Sequence, residues 1–96
     1  MVYYSMRQYK LIGYEKAKSK NKMYNALIQD KQGKVIKIPF GDNRYENFSD
    51  NTGLNIYPRL IHNDTKRKRL YKARHSGYIR KGYYSPGWFS MTQLWT

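Results

Sequence analysis

The residues best suited to chemistry in this chain are cations crowded into its last third. Ten candidate binding residues lie between positions 66 and 81: Lys66, Arg67, Lys68, Arg69, Lys72, Arg74, His75, Tyr78, Arg80 and Lys81. No acidic residue follows Asp64, so these cations have no carboxylate on their carboxyl-terminal side. Lys and Arg bind phosphate oxygens, and each contact releases a condensed counterion from the nucleic acid. The pattern predicts a surface that binds a polyanion through its backbone.

A structural role is the alternative for part of this set. Basic runs often form solvated helix faces, and Arg67 and Arg74 can instead stack on tyrosine or tryptophan rings within the fold. Ligand contact is favoured for four neighbouring cations, which repel one another in the absence of a partner: Lys66, Lys68, Arg69 and Lys72.

Tyrosines alternate with cations just after the basic run. Tyr78, Tyr83 and Tyr84 are interleaved with Arg80 and Lys81 on a glycine-rich frame. Such rings can stack on bases at about 1–3 kcal/mol per base while the cations hold phosphates. The same rings can equally cover the protein's own sheet, and the sequence leaves both interpretations open.

The sequence does not favour catalysis. His62 and His75 are the only histidines, and an HNH-type nuclease needs an asparagine and a further histidine at set spacing around them. Gly-Tyr-Ile and Tyr-Tyr segments are weakly similar to the GIY-YIG nuclease motif, but the metal-binding glutamate of that chemistry is missing downstream. A glycine-rich phosphate loop ending in Lys-Ser or Lys-Thr is also missing. We predict a non-enzymatic protein with no catalytic residue and no cofactor, in which His75 contacts a helix dipole or a phosphate.

The acids of residues 41–59 do not have the spacing of a metal site. Asp42, Glu46 and Asp50 are four residues apart, whereas an EF-hand loop places its ligands at alternate positions. The chain has no cysteine, which excludes disulfides and thiolate metal ligands. We predict no bound metal. We expect these acids to act as counter-charge to the basic half of the chain, within a long loop.

A helix over about residues 64–76 is predicted to carry the basic run. Asn63 or Asp64 can cap its amino end, and Gly77 is suited to a left-handed residue at its carboxyl end.

The faces of this helix follow from about 100° of rotation per residue. Leu70 and Ala73 are neighbours and are expected to anchor the helix to the core. Three other residues are expected to point away from the core: Lys68, Lys72 and His75. A third stripe beside Leu70 contains Arg67, Tyr71 and Arg74.

The remaining elements form a small antiparallel sheet and a short last helix. Two apolar runs flank a polar connection that ends at Gly33, which predicts a hairpin over residues 23–40 with a positive φ at that glycine. Pro39 cannot donate to a strand ladder, so its strand ends there or lies at an edge. A loosely alternating segment predicts a further strand over residues 7–14. The fold class is therefore α+β.

The last helix is predicted over about residues 86–95. Serine before proline suits its first turn, and Trp88, Met91 and Trp95 follow a helical period. We expect the two tryptophans either to complete the small core or to mediate self-association with a partner subunit.

Composition supports one small basic domain over residues 1–96. The net charge is +13, from 19 Lys and Arg against six Asp and Glu, and the sequence pI is near 10. A pI this high is typical of nucleic-acid binding. No segment has the ~20 apolar residues of a membrane span, and the first residues lack the apolar stretch of a signal peptide. We expect an intracellular protein with no membrane partner.

Residues 62–95 resemble an uncharacterised family of small basic proteins encoded by large double-stranded DNA viruses, including giant viruses and some phages. The resemblance is carried by His62, Asp64, Arg67, Tyr71, Arg74 and His75, and then by Pro86, Gly87, Trp88, Phe89, Ser90, Leu94 and Trp95. It implies a viral origin and a location in the host cell interior or the virion. It implies no activity.

Two functions follow as expectations. The first is a nucleic-acid-binding protein that grips the phosphate backbone, most readily of duplex DNA, without strong sequence readout. The second is a minor capsid or cement protein, whose basic face meets acidic virion protein surfaces and whose Trp88 and Trp95 contact neighbouring subunits.

Overall fold

The computed structural model describes residues 4–77 and 83–96, and the predicted α+β class is confirmed. The strands are β1 (Tyr4–Ser5), β2 (Lys10–Lys16), β3 (Lys22–Gln29), β4 (Val35–Asp42) and β5 (Tyr83–Tyr84). The helices are a 3₁₀ turn (Pro58–Leu60), α1 (Thr65–His75) and α2 (Pro86–Phe89), which continues as a π-helical turn (Ser90–Leu94). Within the described ranges, no helix is long and apolar enough to cross a membrane.

The main sheet is antiparallel in the order β2-β3-β4, and its hairpin is the predicted one. Gly33 closes the turn with a φ of 91°, as expected. The Asp30 carboxylate accepts two backbone N–H bonds, from Gln32 and Lys34, each at 2.9 Å. Pro39 lies in β4, an edge strand, which satisfies the prediction for a residue without an N–H.

The third strand begins later than predicted. This strand was predicted over residues 7–14; it corresponds to β2, which begins at Lys10. The reason is a turn in which the Ser5 carbonyl accepts the N–H groups of Gln8 and Tyr9. A second, two-stranded sheet was not predicted: β1 pairs with β5, with Tyr4 opposite Tyr84.

One face of the main sheet builds the core. Tyr24, Ala26 and Ile28 lie opposite Phe40, Ile38 and Ile36. Five of these six side chains are buried, and Ile36 is partly buried against them. The carboxyl-terminal segment covers this layer, because Phe89 packs against Phe40 with ring centroids 5.5 Å apart.

Of the two alternatives for the tryptophans, packing with the core is the one that the structure shows; self-association stays a prediction. Trp95 is buried, and its ring stacks on Tyr71 at 4.1 Å with an interplanar angle of 4°. Trp88 is partly buried and meets Tyr84 and Phe89 edge to face. Tyr84 itself stacks on Phe89, so this tyrosine covers the core.

Helix α1 has the predicted start and a different end. The Asp64 carboxylate caps the helix by accepting the N–H groups of Lys66 and Arg67 at 3.0 and 3.2 Å. The expectation of a left-handed Gly77 is wrong. Ser76 ends the helix in a right-handed conformation, and Gly77 does not have a positive φ.

The predicted docking face of α1 is also wrong. Leu70 is 52% exposed and Ala73 is exposed, so this pair does not anchor the helix. The least exposed positions are instead Lys68, Tyr71, Lys72 and His75. The large aromatic surface of Tyr71 finds a complementary partner in Trp95, and this outweighs the smaller apolar contribution of a leucine and an alanine.

Candidate nucleic-acid interface

All six acidic side chains are engaged within the fold. Three form ion pairs: Glu15 with Lys37 at 3.1 Å, Asp42 with Arg44 at 2.7 Å, and Glu46 with Arg67 at 3.1 Å. The other three accept hydrogen bonds that hold turns and caps. Asp30 closes the hairpin, and Asp64 caps α1. Asp50 accepts hydrogen bonds from the hydroxyl groups of Tyr24 and Thr52. The expected counter-charge is therefore real for Glu46, whereas Asp42 and Asp50 serve their own loop.

The outer face of α1 carries cations without such partners. Lys66, Arg69 and Arg74 are exposed, and none of them forms an ion pair with a described residue. The exposed Leu70 lies among them. At about 100° per residue, Lys66 and Arg69 point away from the side of α1 on which Tyr71 stacks on Trp95, and Arg74 lies next to that side.

Two predicted binding residues have contacts inside the protein. Arg67 donates to Glu46, although both side chains are about half exposed. The ammonium group of Lys68 lies 4.6 Å from the centroid of the Phe48 ring, a cation–π distance. Lys68 therefore faces the loop that contains Phe48, whereas the sequence predicted that it points away from the core.

Of the remaining predicted residues, two lie on the side of α1 that faces the fold, and three lie outside the described residues. Lys72 and His75 are half-buried, and the His75 ring lies 4.4 Å from that of Tyr71. The expectation that Lys72 and His75 point away from the core is therefore wrong for both: Lys72 is half-buried, and His75 faces the fold. Tyr78, Arg80 and Lys81 lie outside the described residues, and so does their predicted role.

A groove runs between α1, the end of β4 and the start of α2. Its volume is about 390 Å³. The side chains that line it combine aromatic rings, two carboxylates and a cation: Tyr45, Tyr71, Trp95, Asp42, Glu46 and Lys22. Tyr45 is 65% exposed, the highest value among the large hydrophobic side chains of the described part. The sequence interpretation did not include this groove.

The mouth of the groove is organised by one ion pair. Arg44 donates twice to the Asp42 carboxylate, at 3.0 and 2.7 Å, and its guanidinium carbon lies 5.7 Å from the Tyr45 ring centroid. Hydrogen bonds from the side chain and backbone of Arg44 lower the pKa of Asp42 to about 2. The carboxylate is therefore ionised at neutral pH.

The floor of the groove is held by Asn47, which sequence reasoning missed. Its amide oxygen accepts the Trp95 indole N–H at 3.2 Å, and its amide nitrogen lies 3.1 Å from the Met23 sulfur. Its backbone also pairs with Leu60 and His62. A buried asparagine among loop residues has no periodic signal in the sequence, and only its long-range contacts identify it.

His62 lies behind this floor, between the rings of Phe48 and Trp95. Its Nδ1 atom accepts the Asp64 backbone N–H at 2.9 Å, so the proton of the neutral ring is on Nε2. That Nε2 atom is buried without a hydrogen-bond partner among the described residues. Burial, followed by the charge of Arg67, lowers the pKa of His62. Burial therefore favours the neutral form of this ring.

Comparison of the chain with protein-family models, with curated proteins and with solved structures finds no match. The resemblance of residues 62–95 to a viral family stays a prediction. Within residues 4–77 and 83–96, no group of three or more His, Asp or Glu side chains is placed to hold a metal ion.

Proposed function

We propose that this chain is a small virus-encoded protein that binds nucleic acid through the phosphate backbone, duplex DNA first, without strong sequence readout. It acts by binding and not by catalysis, in the host cell interior or the virion. The observation that carries the proposal is the unpaired positive charge on α1. Glu46 pairs with Arg67, and the other five acids have partners other than the outer cations of α1. Lys66, Arg69 and Arg74 are exposed and therefore free to contact phosphates.

The chain's own charge balance supports an external anion. With 19 cations and six acids, at least 13 cations have no acidic partner even if each acid neutralises one. Self-repulsion of this size is relieved by a polyanion. Backbone contacts from flexible cations on a convex helix carry no base information, so the proposed binding is weakly specific.

The test is duplex binding in a salt series with matched charge reversals. Lys66→Glu with Arg69→Glu removes two outer cations of α1. Lys31→Glu with Lys34→Glu makes the same charge change in the β3–β4 turn, at the end of the hairpin away from Gly41 and the groove. An eight-residue strand spans roughly 25 Å, so the two sites are well separated.

We expect log affinity to fall with log salt at about −0.9 per phosphate contacted. The α1 pair is expected to reduce both the affinity and the slope for every duplex sequence alike, and the turn pair to reduce them much less. Equal losses for the two pairs, or no duplex binding at low salt, refute the proposal.

The capsid or cement role is the second proposal, and nothing in residues 4–77 and 83–96 favours it over the first. Trp95 is 7% exposed and stacked on Tyr71, so little of its ring is available to a neighbouring subunit. Co-sedimentation with capsid shells by a protein that does not shift DNA in a gel would support that role.

A further inference from the structure

The groove beside α1 has the size and chemistry of a ligand site. Its volume of about 390 Å³ lies within the roughly 300–1,000 Å³ of small-molecule sites. Its walls come from three parts of the chain that a ring stack and hydrogen bonds link together. Tyr71 is stacked on Trp95, Trp95 is hydrogen-bonded to Asn47, and Asn47 reaches Met23 at the start of β3.

An exposed ring stands at the groove mouth. Tyr45 is 65% exposed, yet the Arg44 guanidinium lies over it and Arg44 is itself held by Asp42. A planar ligand that stacked on Tyr45 would bury apolar surface that now faces water. Aromatic rings beside arginine are the usual stacking platforms for bases of single-stranded nucleic acids.

The polar lining discriminates between a base and a phosphate. Asp42 and Glu46 both line the groove, and carboxylates repel phosphate oxygens. Each carboxylate has more acceptor positions than its arginine partner uses. Acidic side chains accept hydrogen bonds from exocyclic amino groups, such as N4 of cytosine. The interior therefore suits a base better than it suits a phosphate.

Cations surround the groove where phosphates would pass. Lys22 lines it directly, and Arg44 and Arg67 hold its two carboxylates. Arg74 follows Arg67 by seven residues, about two helical turns, and so lies on the same side of α1. Arg74 is exposed and forms no ion pair with a described residue. A strand that places a base in the groove thus meets Lys22 in the lining and further cations beside its carboxylates.

We propose that the groove takes an unpaired, amino-bearing nucleobase stacked on Tyr45, with the flanking phosphates held by Lys22, Arg44, Arg67 and Arg74. This inference rests on the proposed backbone binding and adds a preference to it. Bases of an intact duplex are stacked and paired and cannot enter. The chain therefore binds single strands more tightly than their lower charge density alone would give.

The test compares single-stranded oligonucleotides of one length: oligo-dC, oligo-dT and an abasic strand with the same phosphates and no bases. Binding is measured over a salt series, so that the slope reports phosphate contacts and the affinity extrapolated to high salt reports the bases. We expect equal slopes. We expect oligo-dC to bind roughly tenfold or more tightly than the abasic strand, with oligo-dT between them.

Variants of Tyr45 locate the effect. Its ring is mostly exposed, so Tyr45→Ala is expected to fold normally, to lower oligo-dC affinity to that of the abasic strand, and to leave abasic binding unchanged. Tyr45→Phe keeps the stacking ring and is expected to retain oligo-dC affinity. Val35→Ala, at another exposed apolar position, is the control and is expected to change nothing.

The outcomes separate this inference from the proposed function. Equal affinity for oligo-dC and the abasic strand, or an unaffected Tyr45→Ala variant, overturns the base site and leaves backbone binding intact. Tight oligo-dC binding without a salt slope keeps the base site and overturns backbone binding. Failure of every strand to bind at low salt overturns both.

Discussion

At the scale of single residues, Gly41 has closer neighbours than Gly13, Gly33, Gly53 or Gly77. Its φ is 74°, and an added Cβ would lie 3.0 Å from Leu94 Cδ1 and 3.2 Å from Met23 Cβ. Both neighbours are fully buried, so neither can move freely. Gly41 is therefore needed both for its backbone conformation and for the space it leaves.

Substitution of two glycines separates these requirements. Gly53 has a similar φ of 85° but no atom within 4 Å of an added Cβ. We expect Gly53→Ala to cost about 1–2 kcal/mol from the left-handed backbone alone. We expect Gly41→Ala to cost about 1–3 kcal/mol more, because it also overpacks the core. Urea unfolding measures the difference, and equal losses would show that the crowding is relieved by small shifts.

The pH dependence of stability is expected to involve His62. Because burial lowers the pKa of His62 below its ordinary 6.5, the unfolded chain takes up a proton there at a higher pH than the folded chain. Stability therefore falls as the pH drops through 6.5, and the fall ends below the lowered pKa of the folded state.

His62→Asn tests this dependence. The shorter side chain keeps an acceptor near the position of Nδ1 for the Asp64 N–H, but it does not titrate. We expect a lower stability overall, from lost ring contacts with Phe48 and Trp95, and a shallower decline between about pH 7 and 5. If the free energy of unfolding falls with pH equally in the variant and the original protein across that range, His62 does not cause the decline.

At the scale of elements, the docking of α1 depends on an aromatic stack. Leu70 and Tyr71 are adjacent, and the sequence pattern favoured Leu70 as the anchor. The structure reverses this, with Leu70 52% exposed and Tyr71 stacked on Trp95.

Alanine at each of these positions tests the reversal. We expect Tyr71→Ala to cost about 2 kcal/mol or more in the free energy of unfolding, through lost ring burial and stacking. We expect Leu70→Ala to change it by no more than about 0.5 kcal/mol, as is usual for an exposed position. Denaturant unfolding of both variants decides between the two faces, and a larger loss for Leu70→Ala would restore the original assignment.

Local signals explain which elements the sequence predicted. The hairpin has alternation and a glycine turn, and α1 has a capping Asp64, so both were found from neighbouring residues. The docking face of α1 was missed because its partner, Trp95, is more than 20 residues away in the sequence. The candidate groove was missed for the same reason: Asn47 holds its floor through contacts with Met23 and Trp95, each more than 20 residues away in the sequence.

At the scale of the whole molecule, the excess charge is expected to limit stability. With a net charge of +13, the exposed cations repel one another in the folded state more than in the expanded chain. Raising the ionic strength from about 0.01 to 0.15 M shortens the Debye length from about 30 to 8 Å and screens this repulsion.

We expect the Tm to rise by several degrees over that range, and to rise further with heparin, which binds the folded state through its charge. Thermal unfolding followed by circular dichroism in a NaCl series measures the effect. The Lys31→Glu, Lys34→Glu variant has four fewer net positive charges, from +13 to +9, and is expected to depend less on salt. An identical dependence for the two proteins would show that the repulsion is local to α1.

The cover of the sheet comes from the far end of the chain, and this has a consequence during synthesis. Strands β2 to β4 are complete at Asp42, but Phe89, Leu94 and Trp95 close over them only about fifty residues later. The core side of the sheet around Phe40 therefore lacks its cover until these residues have been synthesised. The basic helix emerges during this interval, before Trp95 is available as its anchor. We therefore expect the core to close only once residues 89–95 are available, after the sheet and the basic helix have been made.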